Sequence, residues 1–293
     1  MVYRVASTPA MECPNVSSMD EVISGGFTIE QGGPWSRGYV RVVSWNIERG
    51  LQFSAILEFL RGAEADLILL QEVDLNARRT LHRDVASELA RSLGLNYVFG
   101  IEFQELDAGS EVAPAHHGLA TLSPWPLSNG RIIRFHRQSN FWKPHWYVPQ
   151  AEIFQRRLGG RIALVSEALI CRQRFVTYNL HLESRGKDIL RVQQLQEAVE
   201  DARQHMNCSL VVLGGDFNLN AGNSDPAATL RRAGFRDAVQ RPELPTTAAR
   251  LPFQRGRSID WIYVSDGIRS EGRVHNSIRA SDHHPVSATF AIS

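Results

Sequence analysis

The chain has 293 residues, 43% hydrophobic and 22% charged, enough for one large domain or two small ones around a sizeable core. Lys and Arg total 32 against 31 Asp and Glu, a net charge of +1 that argues against a long duplex as a tightly held partner and leaves room only for a local basic groove. The cysteines Cys13, Cys171 and Cys208 are too few and scattered for a disulfide framework or a zinc site. They read as buried free thiols of a cytoplasmic protein, with neither a signal peptide nor the roughly 18-residue apolar run of stable membrane insertion.

Residues 1–37, with Pro14, Gly25, Gly26, Gly32, Gly33 and Pro34, read as a partly irregular extension, loosely ordered or draped over a single domain of residues 38–293. A strand is expected at Tyr39–Trp45, then a helix at Phe53–Arg61 with Ile56, Leu57 and Leu60 on one face. Asp66–Gln71 reads as a strand buried on both faces, and His82–Leu93 as a helix striped by Val85, Leu89 and Leu93. Further strands are expected at Asn96–Gly100, Leu119–Leu122, Ile162–Ile170, Phe175–His181, Leu210–Leu213, Ile259–Val264 and Val286–Ala291. Lys187–Gln204 carries Ile189, Val192, Leu195 and Val199 at helical spacing. Strands outnumber helices without regular β-α alternation. That points to an α+β body with two sheets face to face and helices outside.

Polar residues interrupt these apolar strands at their ends. Asn46 follows Val43-Ser44-Trp45, Glu72 follows Leu69-Leu70-Gln71, and His181 ends Thr177-Tyr178-Asn179-Leu180. Asp216 and Asn218 follow Leu213-Gly214-Gly215, Asp260 lies inside an apolar segment, and Asp282 and His283 precede the last strand. A buried polar group without a partner costs a kcal/mol or more, so six such interruptions call for partners or a metal. On extended backbone, Asp216 and Asn218 project to the same side and Phe217 to the core. A carboxylate that handles a proton beside an amide that donates to an oxyanion suits phosphate ester hydrolysis.

Trp45-Asn46-Ile47, Leu70-Gln71-Glu72-Val73, Asn179-Leu180-His181-Leu182, Gly215-Asp216-Phe217-Asn218, Ser258-Ile259-Asp260 and Ser281-Asp282-His283-His284-Pro285-Val286 stand in the order seen in the endonuclease/exonuclease/phosphatase superfamily. From residue 39 to residue 293 the chain resembles that superfamily, which includes pancreatic deoxyribonuclease, exonuclease III and neutral sphingomyelinase. The resemblance implies a four-layered α-β-β-α sandwich of two mostly antiparallel sheets, with the site at one end. It implies Glu72 as chief Mg²⁺ ligand, Mn²⁺ as a possible substitute, and Asn46 and Asp282 close to the ion. By the same resemblance Asp216 aligns or deprotonates water, Asn218 and His181 donate to phosphoryl oxygens, and Asp260 holds His283 in one tautomer. Whether Asp216 or His283 takes the water proton stays open.

Other stretches bear on the substrate. His181-Leu182-Glu183-Ser184-Arg185 resembles a segment of the tyrosyl-DNA phosphodiesterases, with Arg185 in place of a threonine. The alternative is a turn in which Glu183 or Ser184 caps the next helix. The aromatic run around Trp142 and Trp146 suits base stacking, a lipid interface or packing of its own loop. Arg257 with Arg255 suits a substrate phosphate or a solvated turn. The expected protein is a monomeric Mg²⁺-dependent phosphodiesterase acting on nucleic acid at ends or single strands. Its competitors are the same chemistry on a lipid headgroup, inositol phosphate or other small phosphoester, and a non-catalytic binding module.

Overall fold

Continuous apolar runs such as Leu67–Leu70 and Leu210–Leu213 need cover on both faces, and stacked sheets flanked by helices provide it. The computed structural model describes residues 18–28, 38–110, 113–151, 154–220, 226–239, 244–249 and 255–292. Cys13, the rest of the N-terminal extension, and Pro252 and Phe253 lie outside the described residues.

The first sheet contains β1 (Val22–Gly26), β2 (Tyr39–Arg49), β3 (Leu67–Leu75), β4 (Asn96–Glu105), β5 (Ala115–Ser123), β7 (Arg157–Gly159), β13 (Ser270–Val274) and β14 (Val286–Ala291). Its order is β1-β4-β5-β3-β2-β14-β13, with β7 also paired to β4. The second contains β6 (Leu127–Arg134), β8 (Ile162–Ile170), β9 (Gln173–His181), β10 (Leu210–Asp216), β11 (Phe235–Asp237) and β12 (Asp260–Ser265), in the order β11-β12-β10-β9-β8-β6. Each sheet is antiparallel except for one pair, β2 with β3 and β9 with β10.

Three apolar layers account for the α-β-β-α stacking. The helices α1 (Phe53–Ala63) and α2 (Val85–Leu93) place Ile56, Leu60, Val85 and Leu89 against Val43, Ile68 and Leu70 of the first sheet. Val42, Leu67 and Leu69 meet Phe175, Val212 and Ile262 between the sheets. The helices α3 (Asp188–Arg203) and α4 (Pro226–Arg232) set Leu195, Val199 and Leu230 against Val176, Val211 and Leu213. The expected four-layered sandwich is the observed fold. Among the described residues no helix is long and apolar enough to cross a membrane.

Several local expectations need correction. Within the extension, read as loosely ordered or draped over the domain, Val22–Gly26 forms an unexpected strand that pairs with β4 in register from Val22↔Gly100 to Gly26↔Asn96. The second helix begins at Val85 rather than His82, because the Asp84 carboxylate accepts the Ser87 N–H at 3.0 Å as an N-cap. On α3 the buried stripe runs through Gln194, Leu195, Ala198, Val199 and Ala202, and Ile189 is exposed. Neither Glu183 nor Ser184 caps that helix, whose N-cap Lys187 makes no side-chain bond. Cys171 and Cys208 are free thiols but not buried, Cys171 being half-buried and Cys208 exposed.

What matters for the site is how the parallel strands end. The β2–β3 register slips between Asn46 and Arg49, and the β3–β5 register slips between Leu70 and Val73. Glu48, Arg49 and Glu72 take positive φ there, at 46°, 67° and 52°. These bulges re-aim side chains that a regular pleat would point along the sheet normal. β9 and β10 finish together in register, Asp216 opposite His181 on one side and Asp260 on the other.

Candidate active site

The ends of both parallel pairs open into a cavity of about 480 Å³. Glu72, His181, Asp216, Asn218, Asp282 and His283 line it, joined by Trp142, Arg185 and Arg257. Asn46 and Asp260 stand one layer behind, each bonded to a lining residue. Of the expected substrate contacts, Trp146 alone is absent from the wall; it is 95% exposed on the loop outside.

Asp216 is the centre of the arrangement. It is buried at the end of β10, with His181 Nε2 at 3.7 Å and His283 Nε2 at 3.8 Å from its Oδ2. The Asn46 amide donates to the same oxygen at 3.3 Å, and the Asn218 backbone N–H donates to Oδ1 at 2.9 Å. Asp216 and Asn218 therefore meet through a turn rather than through an extended pleat. Asn218 has φ of 51°, its side-chain amide donates to the Leu182 carbonyl at 3.2 Å, and Phe217 is fully buried between them.

Each histidine facing Asp216 is backed by a carboxylate. His283 Nδ1 lies 2.9 and 3.0 Å from the two Asp260 oxygens, and the Thr246 hydroxyl donates to Asp260 Oδ2 at 2.5 Å. His181 Nδ1 lies 3.0 Å from Glu102 Oε2, and Arg161 Nη1 packs against the ring, 2.8 and 2.9 Å from its two nitrogens. Burial works against a charged His283, yet Asp260 and Asp216 raise it to about 10, so the ring carries its proton at neutral pH. Burial and the Asp260 charge push the Asp216 carboxyl upward, with His283 and His181 opposing.

A second carboxylate group faces the cavity from the first sheet. Burial would raise the half-buried Glu72, but His117, Arg49, His181 and Arg157 hold it well below the usual carboxylate range. Its neighbour Glu48 is pushed up by burial and then by the charges of Asp282 and Glu72. The charges of Asp282 and Glu72 both bear on Glu48, and carboxylate oxygens are the donor type a hard divalent cation takes. Asn46 offers its amide oxygen beside them, already accepting the Glu48 N–H at 3.1 Å but with a second lone pair. Among the described residues, the His/Cys/Asp/Glu side chains whose ligand atoms all lie within 4.8 Å of one another are instead Asp216, Asp260 and His283. Both Asp260 oxygens are engaged by His283 and Thr246, so that trio is a hydrogen-bonded relay rather than the better cation cradle.

Several lining residues gave little or no warning in sequence. Thr247 and Ala248 close one wall; the Thr247 hydroxyl accepts the Arg257 N–H at 2.8 Å and the Ala248 N–H donates to the Asp282 carbonyl at 2.8 Å. Arg49 adds a further guanidinium group, beside Arg255, which the sequence had paired with Arg257. Glu102 did carry the usual signal, a charge inside the apolar run Ile101-Glu102-Phe103, but it falls beyond the expected strand end at Gly100.

A family model described as the endonuclease/exonuclease/phosphatase family matches residues 43–283. The chain belongs to this family. Solved structures agree on the fold of this endonuclease/exonuclease/phosphatase domain. One is an endonuclease/exonuclease/phosphatase from Beutenbergia cavernae DSM 12333, at 19% identity and TM-score 0.62, covering 87% of this chain and 72% of that one. Truncated TDP2 from Caenorhabditis elegans follows at 19% identity and TM-score 0.57, with 86% and 98% covered. SmcL stands at 16% identity and TM-score 0.59, with 87% and 99% covered. No curated protein matches the chain.

Proposed function

We propose that this endonuclease/exonuclease/phosphatase domain is a Mg²⁺-dependent phosphodiester hydrolase that acts on nucleic acid at ends or single-stranded segments. The observation that carries the chemistry is Asp216, held between two carboxylate-backed histidines at the wall of a cavity that Glu72 and Asp282 also face. A protonated His283 cannot accept a further proton, which leaves Asp216 to orient the attacking water and take its proton. The elevated Asp216 carboxyl is the better base for it. His283 and His181 then face the phosphoryl oxygens as donors, with Asn218 beside them. Glu72, Asp282, Glu48 and Asn46 are the residues that would hold Mg²⁺, or Mn²⁺ in its place. Such an ion neutralises phosphoryl charge and lowers the cost of bringing an anion to a nucleophile.

The substrate class is supported by four arginines, Arg49, Arg185, Arg255 and Arg257, in the cavity wall. A phosphocholine headgroup would bring its ammonium against them. A strand with phosphates flanking the scissile one would pair with them. Labelled DNA, RNA, sphingomyelin and inositol phosphates, each with added Mg²⁺, should show turnover of the nucleic acids, and EDTA should abolish it. Turnover confined to sphingomyelin or inositol phosphates would overturn the substrate, and turnover in EDTA would overturn the cation.

A further inference from the structure

Thr246 stands behind the Asp260–His283 pair, and none of the roles above uses it. It is fully buried, and its backbone is laced to both sides of the site. The Thr246 N–H donates to the Arg257 carbonyl at 2.8 Å, and the Thr246 carbonyl accepts the His284 N–H at 2.6 Å. The next residue, Thr247, forms an isolated β-bridge with His283. The Thr246 side chain is thereby held between the start of β12, where Asp260 stands, and the loop that carries His283.

The bonds of its hydroxyl fix where the proton points. A threonine hydroxyl has one hydrogen to donate and two lone pairs with which to accept. The backbone N–H groups of Ile259 and Asp260 donate to the Thr246 oxygen at 3.0 and 3.1 Å, which occupies both lone pairs. The hydrogen has two acceptors within reach, Asp260 Oδ2 at 2.5 Å and the Arg257 carbonyl at 3.3 Å. The charged and closer carboxylate oxygen takes it. A threonine kept only to tie two backbone segments would need the lone pairs but not this bond. The Asp260 carboxylate, 1% exposed, then lies with its oxygens 2.9 and 3.0 Å from His283 Nδ1. On the far edge of that ring, Nε2 stands 3.8 Å from Asp216 Oδ2. Any rotation of the carboxylate is therefore passed on to the nitrogen that faces the cavity.

We propose that Thr246 is a positioning residue whose hydroxyl sets the plane of the Asp260 carboxylate and, through it, the direction in which His283 presents Nε2 to the cavity. This rests on the reading of His283 as a donor to the phosphoryl group. The test combines turnover of a small chromogenic phosphodiester by the full chain with proton NMR of the His283 ring N–H in the metal-free chain. That resonance is assigned by its loss in His283→Gln. Thr246→Val should lower kcat about tenfold or more with KM within about threefold, the mark of lost orientation rather than lost binding, and should shift or broaden the ring resonance. Thr246→Ser, which keeps the hydroxyl, should stay within about threefold of wild type and keep the resonance in place. A double-mutant cycle separates positioning from backbone tethering: in an Asp260→Ala background the valine substitution should cost less than about twofold. Wild-type kcat in a folded Thr246→Val overturns the proposal, as does an unmoved ring resonance or an equal loss in both backgrounds. Should the valine variant not fold, Thr246→Ala takes its place under the same criteria. His283→Ala separates the two levels. If that variant turns over normally, the reading of His283 fails. If it is slow while Thr246→Val is not, only the positioning role fails.

Discussion

Asp216 collects contacts from four strand ends, and each contact assigns it a different constraint. Asn46 and the Asn218 N–H fix its two oxygens, while His181 and His283 flank the face toward the cavity. Asp216→Asn keeps the shape and removes the proton acceptor, so turnover should fall about 100-fold or more with the melting temperature little changed. Near-wild-type turnover in the folded variant would end the assignment of Asp216 as base. The aromatic residues separate equally cleanly. Trp142 Nε1 donates to Glu183 Oε1 at 2.9 Å, and the ring lies under both Arg157 and Arg161, at 4.9 and 5.5 Å from centroid to guanidinium carbon. Trp146 stands outside the wall. With a small chromogenic phosphodiester, Trp142→Ala should cost roughly tenfold or more through lost placement of the wall, and Trp146→Ala less than twofold. Equal losses would contradict this division. At this scale the residue types at the strand ends were legible in sequence. The mode of their meeting was not, since an Asx-type turn, rather than the two-residue pleat, joins Asp216 to Asn218.

Among the elements, β10 shows how closely the site depends on backbone. Gly215 sits at φ of 146°, where a Cβ would meet the Leu180 carbonyl oxygen at 1.9 Å on the neighbouring parallel strand. Gly215→Ala should therefore cost at least about 2 kcal/mol, combining backbone strain with overpacking, and lower activity with it. Gly267→Ala provides the control: its φ is 88° but nothing lies within 4 Å of the added Cβ, so about 1 kcal/mol is expected. Urea unfolding of both variants compares them, and an equal loss would mean that the close approach to Leu180 contributes nothing. The β2 and β3 bulges belong to the same scale. Trp45-Asn46 and Gln71-Glu72 announce polar strand ends, but a register slip is a property of paired strands and has no expression in either one alone.

Across the whole molecule, the two sheets hold an ionic layer as well as an apolar one. Burial works against the Glu105 carboxylate, yet Arg157, His117 and Arg79 hold it down at about 2, below its ordinary 4.5. The sign follows from linkage. This stabilisation is complete above the unfolded value of 4.5 and disappears as pH falls through about 2. It amounts to something on the order of 3 kcal/mol. The urea midpoint should decline between pH 5 and pH 2.5, and Glu105→Gln should start lower at pH 7 and decline less. A variant with the wild-type pH slope would remove Glu105 from the acid sensitivity.

Sequence by itself determined the two-sheet α+β body and the residue types at the strand ends, because apolar periodicity and the cost of burying polar groups act locally along the chain, and the order of its six motifs carried the resemblance to the family. The β1 edge, the Thr246–Ala248 wall, the Glu102 and His117 partners and the place of Arg49 in the cavity wall were decided only by tertiary structure. Each is a relation between segments far apart in the chain, as with His117 beside Asp74 and His283 beside Asp216. A single strand's pattern records which of its faces is apolar. It does not record which strand will stand opposite, or where the register will slip.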